Sequence, residues 1–152
     1  MFSLAILYKL RYNLTSGTIP THGFNYETIQ FGRSKFNVWD IGGQERMRHL
    51  WSSYFQGTTS IIYVIDCADR KRISDACHEL HKILEHQLLH HLPVLIFANK
   101  QDLPGAVQAE ELQERLELDK ISTMRSYWVQ GSCAITGVGI KEGFDWLVTN
   151  TN

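Results

Sequence analysis

The chemistry of this sequence is concentrated in a few short stretches. In Val38-Trp39-Asp40-Ile41-Gly42-Gly43-Gln44-Glu45, a β-branched and aromatic run ends in an acid, two glycines and an amide. A buried strand that ends this way delivers polar groups to a turn where backbone can approach a ligand closely. Asp40 can hold a Mg2+ ion through its water shell, Gly43 can offer a bare backbone N–H to a terminal phosphate, and Gln44 can orient an attacking water. An ordinary strand-to-loop exit has much the same spelling, so this stretch alone does not decide.

A more specific stretch is Asn99-Lys100-Gln101-Asp102, which follows the apolar run from Pro93 to Ala98. A carboxylate at Asp102 accepts from the ring N–H and the exocyclic amine of guanine together, whereas adenine offers no such pair. Asn99 can add amide hydrogen bonds, and the Lys100 stem can lie along the base face with its ammonium reaching solvent or ribose. The plainer reading is a solvated turn with Asp102 as a helix N-cap. Ser132-Cys133-Ala134-Ile135 closes a later apolar stretch with small residues that let backbone amides close over a base edge, and a tight exit turn has the same composition. Ile19-Pro20-Thr21-His22-Gly23 puts the Thr21 hydroxyl in a loop that can join a Mg2+ shell, ordered by a third phosphate and released on hydrolysis. A simple Pro-Thr turn is the alternative.

The elements that position these residues follow from periodicity. Residues Phe2 to Tyr12 read as a short helix with Lys9 and Arg11 near its end, or as a buried strand. Asn13 to Gly23 has the composition of a long loop. Phe24 to Phe31 and Lys35 to Asp40 flank Gly32-Arg33-Ser34 and predict a β-hairpin whose second strand runs into Asp40. Ser60 to Asp66 and Pro93 to Ala98 are continuous apolar runs, expected of strands covered on both faces, and Tyr127 to Gln130 is a shorter strand. Helices are marked by Ile73, Ala76, Cys77, Leu80, Ile83 and Leu84 after Asp69 as N-cap, by Ala109, Leu112 and Leu116, and by Ile140 to Val148. Strands alternating with helices predict an α/β fold: a doubly wound, mostly parallel sheet with helices on both faces and an antiparallel hairpin at one edge. Ligands of such sheets bind past the carboxyl ends of the strands, where Asp40, Asn99 and Ser132 all fall.

With 152 residues the chain fits a single domain, 1–152, and can bury an adequate core. Fifteen basic against sixteen acidic residues leave a net charge of −1, so no overall field favours nucleic acid or an anionic membrane. Cys67, Cys77 and Cys133 stand in no metal spacing and read as free thiols of a reducing, cytoplasmic compartment. No apolar run is long enough for a transmembrane segment, and Met1-Phe2 lacks the glycine of a myristoylation site. His78, His81, His86, His90 and His91 crowd one helix and its exit; a solvated face is the first reading and a metal or pH-sensitive patch the second.

Taken together, these stretches resemble the Arf and Arf-like branch of the Ras-type small GTPases. The likeness runs from about Ile6 to the C-terminus and is carried by Ile6-Leu-Tyr-Lys-Leu10, Ile19-Pro-Thr-His-Gly-Phe-Asn25, Val38-Trp-Asp-Ile-Gly-Gly-Gln44 and Phe97-Ala-Asn-Lys-Gln-Asp-Leu-Pro104. It implies a GTP/GDP switch with Mg2+ in vesicle trafficking, peripheral to Golgi or other endomembranes, that hydrolyses GTP and answers to effector, exchange-factor and GTPase-activating proteins. It places Thr21 in switch I, Asp40, Gly43 and Gln44 in switch II, Asn99, Lys100 and Asp102 on guanine, and Ser132, Cys133 and Ala134 in the last base-contacting loop. Phe24, Trp39 and Tyr54 fall where the family displays an aromatic triad to effectors; three core aromatics would look the same in sequence.

The resemblance also exposes a departure. The family carries a central first strand and a Gly-x-x-x-x-Gly-Lys-[Ser/Thr] phosphate loop ahead of the Ile6 segment. Here the alignment puts Phe2 and Ser3 where that loop's glycine and lysine belong, and Leu4 where a hydroxyl should bind Mg2+. Weak nucleotide binding and an unfilled slot between neighbouring strands are the expected consequences, with Phe2 to Tyr8 able to slide into that slot at the cost of the helix. A nucleotide-free interaction module and a truncated form of a loop-containing GTPase are the competing readings.

Overall fold

The computed structural model describes residues 6, 9, 24–42, 45–120 and 125–151, apart from the side chains of Arg46 and Met47. Thr21, Gly43 and Gln44 lie outside the described residues.

Strands β1 (Phe24–Phe31) and β2 (Ser34–Ile41) form the expected antiparallel hairpin. Gly32, at φ +58°, supplies the left-handed turn that matches the twist of the strands it joins. Burial alternates along both strands: Ile29, Phe31, Phe36 and Val38 turn inward, while Phe24, Tyr26 and Trp39 turn outward. A 3-10 segment, Glu45–Tyr54, then leads to a second sheet.

That sheet is parallel, with β4 (Val94–Asn99) between β3 (Ile61–Asp66) and β5 (Tyr127–Gly131). All six residues of β4 are buried, as its unbroken apolar run requires. Its side chains alternate between two cores. Val94, Ile96 and Ala98 pack with Leu80 and Leu84 of helix α1 (Ile73–Leu84) and with Leu112 and Leu116 of α2 (Ala109–Leu116). Leu95 and Phe97 face the other way, onto Phe144 and Leu147 of α3 (Ile140–Asn150). This is the doubly wound arrangement, with helices on both faces of a parallel sheet. Asp69 does not cap α1: the short 3-10 turn Arg70–Arg72 intervenes and its side chain makes no capping bond. Arg48 instead fastens α1 to the preceding segment, reaching Asp75 at 2.9 Å and Glu79 at 3.5 Å.

The hairpin does not extend the parallel sheet. Among the described residues β2 pairs only with β1 and β3 only with β4, so the strands form two sheets. A cavity of about 700 Å³ lies between them, lined by β2 along its length and by Ile61, Ile62 and Tyr63 of β3. Phe144 bridges the halves, its ring centroid 5.4 Å from Phe31, 5.7 Å from Phe36 and 6.2 Å from Phe97. Ile6 is helical and fully buried in this same core, and neither it nor Lys9 lines the cavity. At those two positions the helix reading holds.

Helix α3 begins against a tight backbone crossing. Gly139 has φ +78°, and a Cβ built there would lie 1.9 Å from the carbonyl oxygen of Gly131. Relief requires moving β5 or the start of α3, not a side chain. Gly139→Ala is expected to lower unfolding free energy by about 2–4 kcal/mol, measurable by denaturant titration.

Candidate nucleotide-binding site

The carboxyl end of β4 gathers the residues singled out for base recognition. Asn99 is its last residue, only 6% exposed, and its Oδ1 accepts from the Ala134 N–H at 3.0 Å and the Ser132 hydroxyl at 3.3 Å. Backbone bonds run alongside: Ser132 N–H donates to Ala98 at 2.9 Å and Gln101 N–H to Ser132 at 3.1 Å. The loops after β4 and β5 are therefore held as one body. Each side of that contact satisfies a buried polar group that would otherwise be stranded.

Lys100 sits at φ +67°, a left-handed conformation that non-glycine residues seldom adopt. It turns the chain sharply out of the strand, so that Asp102 lies exposed two residues later. The Lys100 ammonium meets Asp66 Oδ2 at 2.6 Å. Asp66 ends β3 directly opposite Asn99 in the parallel register, and sequence reasoning missed it as a site residue. The signal was an acid at the end of an apolar run, but only strand pairing reveals its partner. Gln101 reaches back to the Val107 carbonyl at 2.9 Å and closes the turn from below.

The loop after β5 is compact. Ser132 is fully buried and Cys133 and Ala134 nearly so. The Cys133 N–H donates to the Val138 carbonyl at 3.0 Å, and the Cys133 carbonyl accepts from the Gly137 N–H at 2.8 Å. The N–H groups of Ser132, Cys133 and Ala134 thus all have protein partners in this structure, and only that of Ala134 is held by a side chain. Cys67, beside Asp66, donates its N–H to the Asn99 carbonyl at 3.1 Å, and burial pushes its thiol up to about 12. The cysteines are free, as expected.

At the other strand end, Asp40 is fully buried at the close of β2, opposite Asn25. Trp51 donates its indole N–H to the Gly42 carbonyl at 3.0 Å and fixes the first residue of the following turn. Phe24, Trp39 and Tyr54 are not core residues. They form one outward cluster with ring centroids 5.4–5.7 Å apart, and Phe24 and Trp39 are about half exposed. Tyr26 joins it, 4.7 Å from Trp39 and directly across the hairpin. The period-two spacing of Phe24 and Tyr26 would have placed both on one face.

Three of the five histidines of α1 and its exit hydrogen-bond to nearby backbone. His81 Nε2 lies 2.6 Å from the Leu116 carbonyl, His86 Nδ1 accepts the Leu88 N–H at 3.3 Å, and His90 Nε2 lies 3.0 Å from the Glu85 carbonyl.

The profile of the ADP-ribosylation factor family matches residues 4–151. The chain belongs to this family. Among solved structures, the Arl6 (BBS3) small GTPase of Trypanosoma brucei, determined with the nucleotide analogue GppNp bound, is similar at 31% identity and a TM-score of 0.88. The alignment covers 97% of this chain and 88% of that one. The Arf-family chain is thus a small GTP-binding protein with the Ras-like α/β fold. Among its described residues no helix is long and apolar enough to cross a membrane.

Asn99→Ala should strand the Ala134 N–H and the Ser132 hydroxyl and cost about 1–3 kcal/mol. Hydrogen exchange at the Ala134 amide should rise more than global destabilisation accounts for; an unchanged Ala134 rate would mean that the loop holds itself.

Proposed function

We propose that this Arf-family chain is a guanine-nucleotide switch whose base site is the joined pair of loops after β4 and β5. The observation that carries the reading is the Asn99 contact, which sets a rigid pocket edge beside the exposed Asp102 carboxylate. Asp102 takes the paired donors of guanine, the Lys100 stem flanks the base, and Ser132, Cys133 and Ala134 line its edge. Base binding draws on the Ala134 N–H, with the Asn99 carbonyl as its resting partner.

These residues fit a guanine base, because a carboxylate acceptor pair stands just past the carboxyl end of a parallel strand. For Mg2+ the buried carboxylate of Asp40 has the right donor chemistry, and Thr21 adds a hydroxyl. Mg2+, when bound, neutralises charge on the terminal phosphates. Gly43 offers its N–H to the terminal phosphate, and Gln44 orients the water for hydrolysis, with a partner's arginine as helper. Phe24, Trp39 and Tyr54, with Tyr26, form the effector surface, and the switch acts with exchange-factor and GTPase-activating proteins in vesicle transport. The bound GppNp of the similar Arl6 protein supports this reading.

A nucleotide-free interaction module is the second reading, favoured by Phe2, Ser3 and Leu4 at positions where the family resemblance calls for glycine, lysine and a hydroxyl. Calorimetry with Mg2+ and GTP or ATP separates the two. The switch reading expects GTP to bind about 100-fold tighter than ATP, and Asp102→Ala to erase that preference. Equal affinities in the unmutated chain contradict the Asp102 assignment; no GTP binding at high micromolar concentration favours the interaction module.

A further inference from the structure

Two carboxylates compete for Lys100, and the structure gives it to one. Its ammonium meets Asp66 Oδ2 at 2.6 Å, while Asp102, exposed on the same turn, makes no ion pair among the described residues. The turn is closed by the Leu103 N–H on the Lys100 carbonyl at 3.1 Å, which keeps positions 100 and 102 within a lysine side chain's reach of each other. Without a rival, the ammonium would settle on Asp102. A paired Asp102 receives guanine poorly, because the ammonium takes up the oxygens that the ring N–H and the exocyclic amine need.

Asp66 wins the lysine because it is held in place beforehand. It closes β3 opposite Asn99, and its other oxygen, Oδ1, accepts the Ala68 N–H at 3.0 Å. The chain after it is stitched to the base loops: the Cys67 N–H donates to the Asn99 carbonyl at 3.1 Å, the Val107 N–H to the Cys67 carbonyl at 2.9 Å, and Arg70 reaches the Gly105 carbonyl at 3.0 Å. An acceptor already fixed by backbone loses little further side-chain entropy on pairing, whereas Asp102 would have to be fixed along with the lysine. Both side chains of the pair are a little under half exposed, so the bond is of the modest surface kind. It is strong enough to decide between two neighbouring carboxylates.

We propose that Asp66 is a positioning residue of the base site: it draws the Lys100 ammonium aside and so keeps the Asp102 carboxylate open to the paired donors of guanine. This role rests on the reading of Asp102 as the guanine acceptor. Its consequence is specific. Without the Asp66 charge, Lys100 blocks the site that it flanks, and removing the lysine as well relieves the loss.

The test removes only the charges. Asp66→Asn keeps an oxygen for the Ala68 N–H, and Lys100→Met keeps an apolar stem to lie along a base. Zero-length carbodiimide coupling of the ligand-free chain, read by mass spectrometry, reports which carboxylate the lysine touches: Lys100 should join to Asp66 in the unmutated chain and to Asp102 in Asp66→Asn. In guanosine titrations Asp66→Asn should bind about three- to fivefold more weakly than the unmutated chain, the scale of an exposed ion pair. The double variant with Lys100→Met should bind within about twofold of Lys100→Met alone. A Lys100–Asp102 link in the unmutated chain, no such link in Asp66→Asn, or unchanged guanosine affinity in Asp66→Asn would each overturn the proposal. So would an equal loss from Asp66→Asn with and without Lys100→Met, since Asp66 would then act by supporting its loop. If the unmutated chain binds no guanosine, the reading of Asp102 fails separately, and the cross-links alone decide whether Asp66 keeps the lysine off it.

Discussion

The hydrogen bonds accepted by the Asn99 side chain are the constraint on which the functional half of this protein depends. Burying an amide is costly unless its polar atoms are matched. Here one oxygen serves two donors of the loop after β5, and the backbone next to it carries Cys67 as well. Asn99 can do this because it terminates a strand buried along its whole length. The two cores fix β4 from both faces, so the position of its last residue is set by Ile96, Phe97 and Ala98 rather than by the loop itself. The left-handed turn at Lys100 is then tolerated, with the ion pair to Asp66 holding its side chain.

The rest of the molecule is built differently. Among the described residues the hairpin meets the parallel sheet through Phe144, through the Trp51 bond to Gly42 and through the Arg48 clamp on α1, not through strand pairing. Among the described residues, the half that carries Asn99 has continuous strand pairing and is joined to the aromatic-bearing half by side chains across a seam.

Much of this was legible in the residues. Continuous apolar runs located β3 and β4 to within a residue, and helical spacing located the three helices. The hairpin was set by its turn and its alternation. The fold class followed from the order of these elements, and membership of the Arf family follows from the motif set. What was not legible depends on contacts distant in sequence. Asp66 faces Asn99 only through parallel register, and Trp51 reaches Gly42 only once the 3-10 segment folds back. Whether the aromatic triad lay inside or outside turned on which hairpin face met Phe144. The Asp69 cap failed because three residues of tighter helix separate it from α1. The division into two sheets was foreshadowed by the unfilled slot; Ile6 is helical and buried with Phe144 and Leu147 of α3, and the rest of Phe2 to Tyr8 lies outside the described residues.

The central claim is that the loops after β4 and β5 form a guanine site whose geometry is set by Asn99, whatever becomes of the phosphates. The direct measurement is an amide NMR titration of the chain with guanosine and, separately, adenosine, neither of which carries a phosphate. Guanosine should perturb Lys100, Asp102 and Ala134 in a saturable way, while adenosine leaves them in place. Equal perturbation by both nucleosides, or guanosine shifts that avoid these residues, would contradict the account.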